Sequence, residues 1–437
     1  MIRARWIATL LFVGCALGVS GCNGTGGKSG PGATTTASTV TSASTTTGPS
    51  TAGGSSPAPS TPSSSGGAGT LQDGTLSHPF VIGEPIALPF AYADTRDTRQ
   101  ATSRAFDTYP GHPGKDERGP EFVYRFTLAE PARLAATIAF DEPAGTDVDL
   151  HLMSGTTPSV LVERGDKAIY ATLQPGTYWL ILDTFVSGGV EKRGTYDLRL
   201  SIRSRNPAPS PRFNDYILAA VDYLYAKHRL QGYGSAVLTH DISYGAFGDI
   251  PATGGGRTMC VAAAMEVMLT AMTIWDEDRN DPTVFAFLPI ESWKTLRSNH
   301  IKSHIWVNAS LDSNGSADAL RHFKMGENVP FEQLHPGAFL NLNRTNRTGH
   351  AVVFLAFIDA KGHEFENWNP QVIGFKYFSA QGGSAVGDGG LDFRYAIFSN
   401  HGSPTMPYRR DVNVIYSTDQ RILNTGEMWS PGRWGKP

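Results

Sequence analysis

Apolar and polar positions follow one another with a period that changes along the chain, and the changes mark out its parts. Between about residues 78 and 203 the apolar positions come in short runs: "FVYRFTL", "ARLAATIAF", "DVDLHLM", "KAIYATL", "TYWLILDTF" and "TYDLRLSI". Alternating, β-branched and aromatic residues fill them, and turn-forming stretches such as "EPAGTD", "LQPG" and "SGGVEKRG" separate them, which predicts short strands. Repeated strands at this spacing fit an antiparallel sandwich. After "RNPAPSPR" the spacing becomes helical, in "FNDYILAAVDYLYAKHRL" and "RTMCVAAAMEVMLTAMTIW", then "PIESWKTLRSNH" and "GSADALRHF". Extended runs return only afterwards, as "AFLNLN", "HAVVFLAFID", "VIGFKYFSA" and "DFRYAIF". Helices first and antiparallel strands second predict an α+β order.

The N-terminal stretch has neither period. Its first 22 residues pass from basic ("MIRARW") through apolar ("IATLLFVGCALGV") to small ("VSGC"), which reads as an export signal, too short for a spanning helix of the mature chain. The cysteine after small residues resembles the lipobox of bacterial lipoproteins. That resemblance implies a lipid on Cys22, loss of Cys15 with the signal and, with Asn23 rather than aspartate next, an outer-membrane destination. Residues 23–75 are almost wholly Gly, Ser, Thr, Pro and Ala, too poor in large apolar groups to offset the entropy of ordering, so a disordered tether is expected. About 360 residues remain, enough for two domains: a sandwich over 76–204 and a second domain over 212–437. The net charge of −3, without a basic run, argues against a nucleic-acid partner.

The strand order of the first domain resembles the pre-peptidase C-terminal domain family, through "VYRFTL", "DVDLHLM", "LQPGTYWLIL" and "GTYDLRL". The resemblance implies a jelly-roll-like accessory module rather than a catalyst. Asp147 and Asp149 offer oxygens of the kind calcium takes, but within a strand they read as its polar face. No metal centre and no cofactor is expected.

Cysteine usage draws attention to the second domain. Of three cysteines, Cys15 and Cys22 belong to the signal, which leaves Cys260 as the cysteine of the exported chain outside it. Exported domains usually pair their cysteines or avoid them, so a solitary one is a candidate nucleophile. It must act as thiolate, and a helix start helps by lowering a pKa of about 8.5. Thr258 is the expected N-cap, Val261, Met265, Met268, Leu269 and Met272 the buried stripe behind it, and the glycines of "GGGRTMC" the approach for a substrate and its oxyanion. The competing reading is a buried core cysteine.

A thiolate needs a proton partner, usually histidine. His300, His304, His322 and His363 carry no distinguishing context, whereas His350 opens the apolar strand "HAVVFLAFID" after a glycine. The third member should orient the imidazole from a neighbouring strand. If "AVVFLAFI" pairs with "VIGFKYFS", the partner of His350 falls near residue 380, where Ser379 and Gln381 share a face and Gln381 has the better reach. If "HEFENWN" pairs first, Asn367 or Asn369 takes that place.

Cys260 at a helix start, Pro336-Gly337 leading one strand and Gly349-His350 leading the next resemble the papain-like superfamily, particularly NlpC and CHAP cell-wall peptidases and amidases. Ala338 stands where those families carry aspartate, and no glutamine precedes Cys260 at papain's oxyanion spacing. The resemblance implies a papain-like α+β domain in a surface-anchored cysteine hydrolase, with catalytic Cys260, His350 and Gln381. It would cleave amide bonds in peptidoglycan or an extracellular peptide, held to the membrane by its N-terminal lipid. The alternative is a catalytically inactive envelope-binding lipoprotein on the same fold. A transglutaminase-like transferase ranks last, because Asp359 at the far end of the strand is its nearest third residue.

Overall fold

Strand alternation sets the first architecture. The computed structural model describes residues 72–140, 145–234, 237–345, 348–402 and 410–436. The expected export signal, Cys22 and the tether through residue 71 lie outside them. The first strands are β1 (Phe80–Gly83), β2 (Phe90–Asp97), β3 (Phe122–Leu128), β4 (Ala132–Phe140) and β5 (Val148–Met153). They are followed by β6 (Leu161–Gly165), β7 (Ala168–Leu173), β8 (Gly176–Thr184), a two-strand ribbon of β9 (Val186–Ser187) and β10 (Val190–Glu191), and β11 (Thr195–Ser204). One sheet has the order β1-β3-β8-β5-β6 and the other β2-β11-β4-β7. Tyr124, Phe126, Leu150, Leu152, Leu180 and Leu182 of the first meet Leu134, Ile138, Ile169, Leu198 and Ile202 of the second in one core. The sandwich expected from the alternating runs is therefore present, with β1, β2 and β6 added to the six runs read above.

The five-stranded sheet does not leave its outer face to water. Val123, Met153 and Ile181 are covered there by Phe106 and Tyr109 from the segment between β2 and β3. Residues 72–75, expected in the tether, instead bind the sheet. The Gly74 carbonyl accepts from Val123 N at 2.8 Å and Gln72 Oε1 from Val81 N at 3.1 Å.

The remaining elements build a second layer structure. Helices α1 (Asn214–His228) and α2 (Cys260–Arg279) are separated by the ribbon β12 (Ile242–Ser243) and β13 (Asp249–Ile250). The short helices α3 (Glu291–Lys294), α4 (Ile301–Ile305) and α5 (Ser316–His322) follow, then β14 (Gly326–Asn328), β15 (Phe339–Asn343), β16 (Gly349–Asp359) and β17 (Glu364–Phe365). The chain ends in β18 (Val372–Gly382), β19 (Gly389–Phe398), β20 (Arg410–Val414) and β21 (Leu423–Met428). The sheet order is β14-β21-β15-β16-β18-β19-β20, with β17 beside the end of β16. Helix α2 packs across β16 and β18, and α5 across β21 and β15. On the helix side Phe339, Ala351, Val353, Phe378, Ala380 and Leu391 join the helical core. On the other side Leu340, Leu342, Val352, Phe354, Phe375 and Tyr377 form a separate cluster under Phe331 and Leu334.

The expected linker 205–212 is clasped at both ends. Arg205 N bonds the Pro131 carbonyl at 3.0 Å, Arg279 Nη2 the Pro207 carbonyl at 2.9 Å, and Ser430 N the Pro211 carbonyl at 3.0 Å. Beside it Arg133 of β4, its side chain buried, ion-pairs with buried Asp278 and with Glu277 of α2, while Arg205 reaches Asp278 from the other side at 2.9 Å. Arg203 and Ser201 of β11 both bond Asp222 of α1. Removing one member of a buried pair strands the other charge, which costs several kcal/mol. Arg133→Ala is expected to destabilise the chain by about 3 kcal/mol, measured as a lowered urea midpoint. An unchanged midpoint would show that this latch adds no stability.

Candidate functional site

Cys260 is the first residue of α2, as its sequence context suggests, but Thr258 is not the cap. Its N–H bonds the Gly232 carbonyl and its own carbonyl accepts from Gly234 N, so it belongs to the loop pairing with Tyr233. Met259 occupies the cap position in extended conformation, with no side-chain cap bond, and its carbonyl accepts from Ala263 N at 2.8 Å. Gly255 and Gly256 have φ of 62° and 83°, and a Cβ on Gly256 would meet Gln231 Oε1 at 1.9 Å, so glycine is required there. The thiol residue is 1% exposed and, with Val261, Met265, Met268, Leu269 and Met272, belongs to the helical core.

His350 is the second residue of β16. The register Val353↔Phe378 places it opposite Gln381 of β18, and the imidazole Nε2 lies 3.1 Å from Gln381 Oε1. With that oxygen as acceptor, Nε2 carries the proton. The Tyr377 hydroxyl is 3.1 Å from both Gln381 Oε1 and Asp411 Oδ2, and donates toward both. Arg344 clamps Asp411 with two bonds of 2.8 and 2.7 Å. Burial opposes ionisation of Asp411, but the Arg344 bonds, the Arg344 charge and His350 together hold its pKa below the usual carboxylate value. Burial and the Asp411 carboxylate push Tyr377 well above an ordinary phenol. Ser379 instead donates to the Ala351 carbonyl at 2.6 Å. Asn369 caps Gln371 N, and Asn367 lines a cleft past β17, which pairs only with Phe357 and Ile358 at the far end of β16. Of the four alternatives for the third residue, Gln381 is the one that bonds His350.

The structure does not bring the thiol to this pair. Successive side chains of a strand point to opposite faces. His350 shares its face with Val352 and Phe354, has Leu342 opposite it on β15, and meets Tyr377 and Gln381 on β18, all on the side away from the helices. Cys260 belongs to the core on the other side, with Ala351, Val353, Phe378 and Ala380. Of the expected Cys260, His350 and Gln381, the histidine and glutamine hydrogen-bond, while Cys260 belongs to the core cluster on the helix side of the sheet.

A cleft of about 540 Å³ opens elsewhere, lined by Arg212, Glu327, Glu332, His335, Trp368 and Glu427 among others. Glu427 of β21, largely buried, accepts from His335 N at 3.0 Å and pairs with His335 Nδ1 at 2.8 Å and Arg212 Nε at 3.6 Å. Trp429 Nε1 donates to Glu327 at 3.0 Å. Trp368 lies nearly parallel to Tyr416, 10° between planes and 6.3 Å between centroids. Four separate stretches of chain contribute to this cleft, and no local spacing connects them. Asn367 and Trp368 fall in "HEFENWN", but nothing in that run points to Glu427 or His335.

No protein-family model and no curated protein matches the chain. Solved structures show weak likeness. A periplasmic lysozyme inhibitor of g-type lysozyme from Aeromonas hydrophila is 12% identical over 28% of this chain and 98% of its own, with a TM-score of 0.19. The pre-peptidase C-terminal domain of a collagenase from Bacillus anthracis is 15% identical over 28% of this chain and 94% of its own, with a TM-score of 0.18. The inhibitor from Salmonella Typhimurium is 12% identical over 28% and 98%, with a TM-score of 0.17. At these values the neighbours assign no activity.

A carboxylate whose pKa is lowered on folding contributes stability that is present above its unfolded value, about 3.9, and lost as the pH falls through the folded one. Asp411 is such a group. Arg344→Ala removes its main counter-charge while leaving it buried, so acid unfolding should begin at higher pH than in the unsubstituted chain. Coincident acid transitions followed by circular dichroism would refute this account of Asp411.

Proposed function

We propose that the chain is a non-catalytic binding protein of the cell envelope, with the cleft around His335 and Trp368 as its ligand site. One observation carries this reading: Cys260 is buried in the helical core, across the sheet from His350. A nucleophilic thiol needs its base within hydrogen-bond reach. The cleft offers what a binding site needs, a flat apolar face on Trp368 and convergent polar groups. Its carboxylates Glu327, Glu332 and Glu427 outnumber the guanidinium of Arg212, which favours a ligand bearing amines and hydroxyls. The sugar hydroxyls of peptidoglycan, and the free amine of an uncrosslinked diamino residue in its stem peptide, would meet that need. A lipid on Cys22 and a tether over 23–71 would hold the chain beside such a polymer.

The second reading is a papain-like cysteine hydrolase of peptidoglycan amide bonds. It is favoured by the His350–Gln381 bond and by the place of Cys260 at a helix start, and it requires thiol and imidazole to meet.

Two measurements separate the readings. In sedimentation with purified peptidoglycan, Trp368→Ala should weaken retention about tenfold, the loss of one aromatic contact of about 1.4 kcal/mol, while Cys260→Ala should leave it unchanged. Retention indifferent to Trp368 removes the cleft from consideration. Cys260 should alkylate slowly with iodoacetamide at neutral pH, at the same rate in His350→Ala. Rapid alkylation that this substitution abolishes, together with release of peptidoglycan fragments, would replace binding by hydrolysis.

A further inference from the structure

The outer face of the five-stranded sheet buries a group of side chains that the proposed function does not use. Asp149 and His151 are two apart on β5 and therefore point to the same face, away from the Leu150 and Leu152 that fill the sandwich. Glu117 comes down on them from the segment between β2 and β3, and all three are at most 1% exposed. One oxygen of each carboxylate is occupied: Arg164 Nη2 lies 3.3 Å from Glu117 Oε1 and 3.1 Å from Asp149 Oδ2. The other oxygens, Glu117 Oε2 and Asp149 Oδ1, have no hydrogen-bond partner among the described residues, and neither has either nitrogen of His151. Tyr109 stacks flat on the imidazole at 3.6 Å and 5°, which covers the ring face and leaves its edge nitrogens clear. Tyr109 in turn donates to Asp183, the cross-strand neighbour of Asp149, at 2.9 Å.

Buried polar atoms are ordinarily satisfied, and leaving one unmade costs about 1–3 kcal/mol. Here two carboxyls face each other with no donor between them while both are ionised, both nitrogens of His151 are unmet, and one ligand atom from each of the three residues lies within 4.8 Å of the others. The charge is unbalanced in the same sense, since two carboxylates share one guanidinium.

We infer that Glu117, Asp149 and His151 form a structural site for a divalent transition-metal ion of the zinc class. The donor set separates this from calcium, which takes oxygen ligands almost exclusively, whereas imidazole with carboxylates suits zinc and its neighbours. Small side-chain rotations bring three such atoms to the roughly 2.0–2.2 Å that zinc requires. Arg164 would then act as the partner that orients both ligating carboxylates through their other oxygens. The ion would tie a long connecting segment to a central strand. Glu117 N bonds Asp107 O within that segment, and the Asp116 carbonyl accepts from Val186 N, so one ion would fix the segment that lays Phe106 and Tyr109 over the sheet.

The test uses the exported chain, stripped with a chelator and then titrated with zinc against a chromophoric competitor. One equivalent should bind. Glu117→Gln, which keeps the shape of the side chain, and His151→Gln should each weaken binding by tenfold or more, with far-ultraviolet circular dichroism confirming a folded sandwich. Zinc should also slow trypsin cleavage at Lys115 and Arg118 in the unsubstituted chain, and fail to do so in Glu117→Gln. Absence of zinc binding in the folded chain, with the carboxyl pair sharing a proton instead, would overturn the inference. Binding unaffected by both substitutions, or binding of calcium in preference to zinc, would overturn it equally.

Discussion

The two faces of β16 govern what the second half of this protein is able to do. Odd positions, Ala351 and Val353, pack beneath α2; even positions, His350, Val352 and Phe354, turn the other way. Ala351 and Ala380 share the helical core with α2, which lies across β16 and β18. On the opposite face, His350 is taken into a chain of polar contacts through Gln381, Tyr377, Asp411 and Arg344. A one-residue slip of register would exchange these roles completely. Chemistry at this place depends on the parity of a residue number as much as on its identity.

Buried charge recurs through the chain, and its surroundings differ from place to place. Asp411 has a two-pronged guanidinium, and Glu266 of α2 accepts from Thr239 N and Oγ1 and faces His240. Asp278 lies between two arginines. Each of these carboxylates has a complement of donors suited to an anion. The cluster around Asp149 departs from that pattern, having one guanidinium for two carboxylates and an imidazole with no partner for its nitrogens among the described residues. The contrast separates polar groups that serve packing from a group that serves something else.

Much of the architecture was legible in the order of residues. The six runs read as strands of the sandwich correspond to β3, β4, β5, β7, β8 and β11, because each is a short apolar and β-branched run between turn-forming stretches. The pairing of β16 with β18, and hence Gln381 opposite His350, was one of two arrangements the runs allowed, and the structure has it. What stayed hidden was carried by polar or short segments. β21 reads "LNTGEM", with Asn424, Thr425 and Glu427 all buried, and no hydrophobic period announces it. β6 is five residues with charges at Glu163 and Arg164. The face of His350 escaped notice for another reason: a sequence shows which positions alternate but not which side a distant helix will cover.

The start of α5 carries a consequence of its own. Gly315 precedes it and supplies no capping side chain. The open N–H groups are met by strand asparagines: Asn341 accepts from Ser316 N at 2.8 Å, and Asn424 from Ala317 and Asp318 N at 3.1 and 3.3 Å. A helix of seven residues is not stable alone in water, and part of what completes this one lies 107 positions further along the chain. The helical layer over β15 and β21 therefore depends on a contact of long sequence separation, and α5 is complete only where β21 lies between β14 and β15.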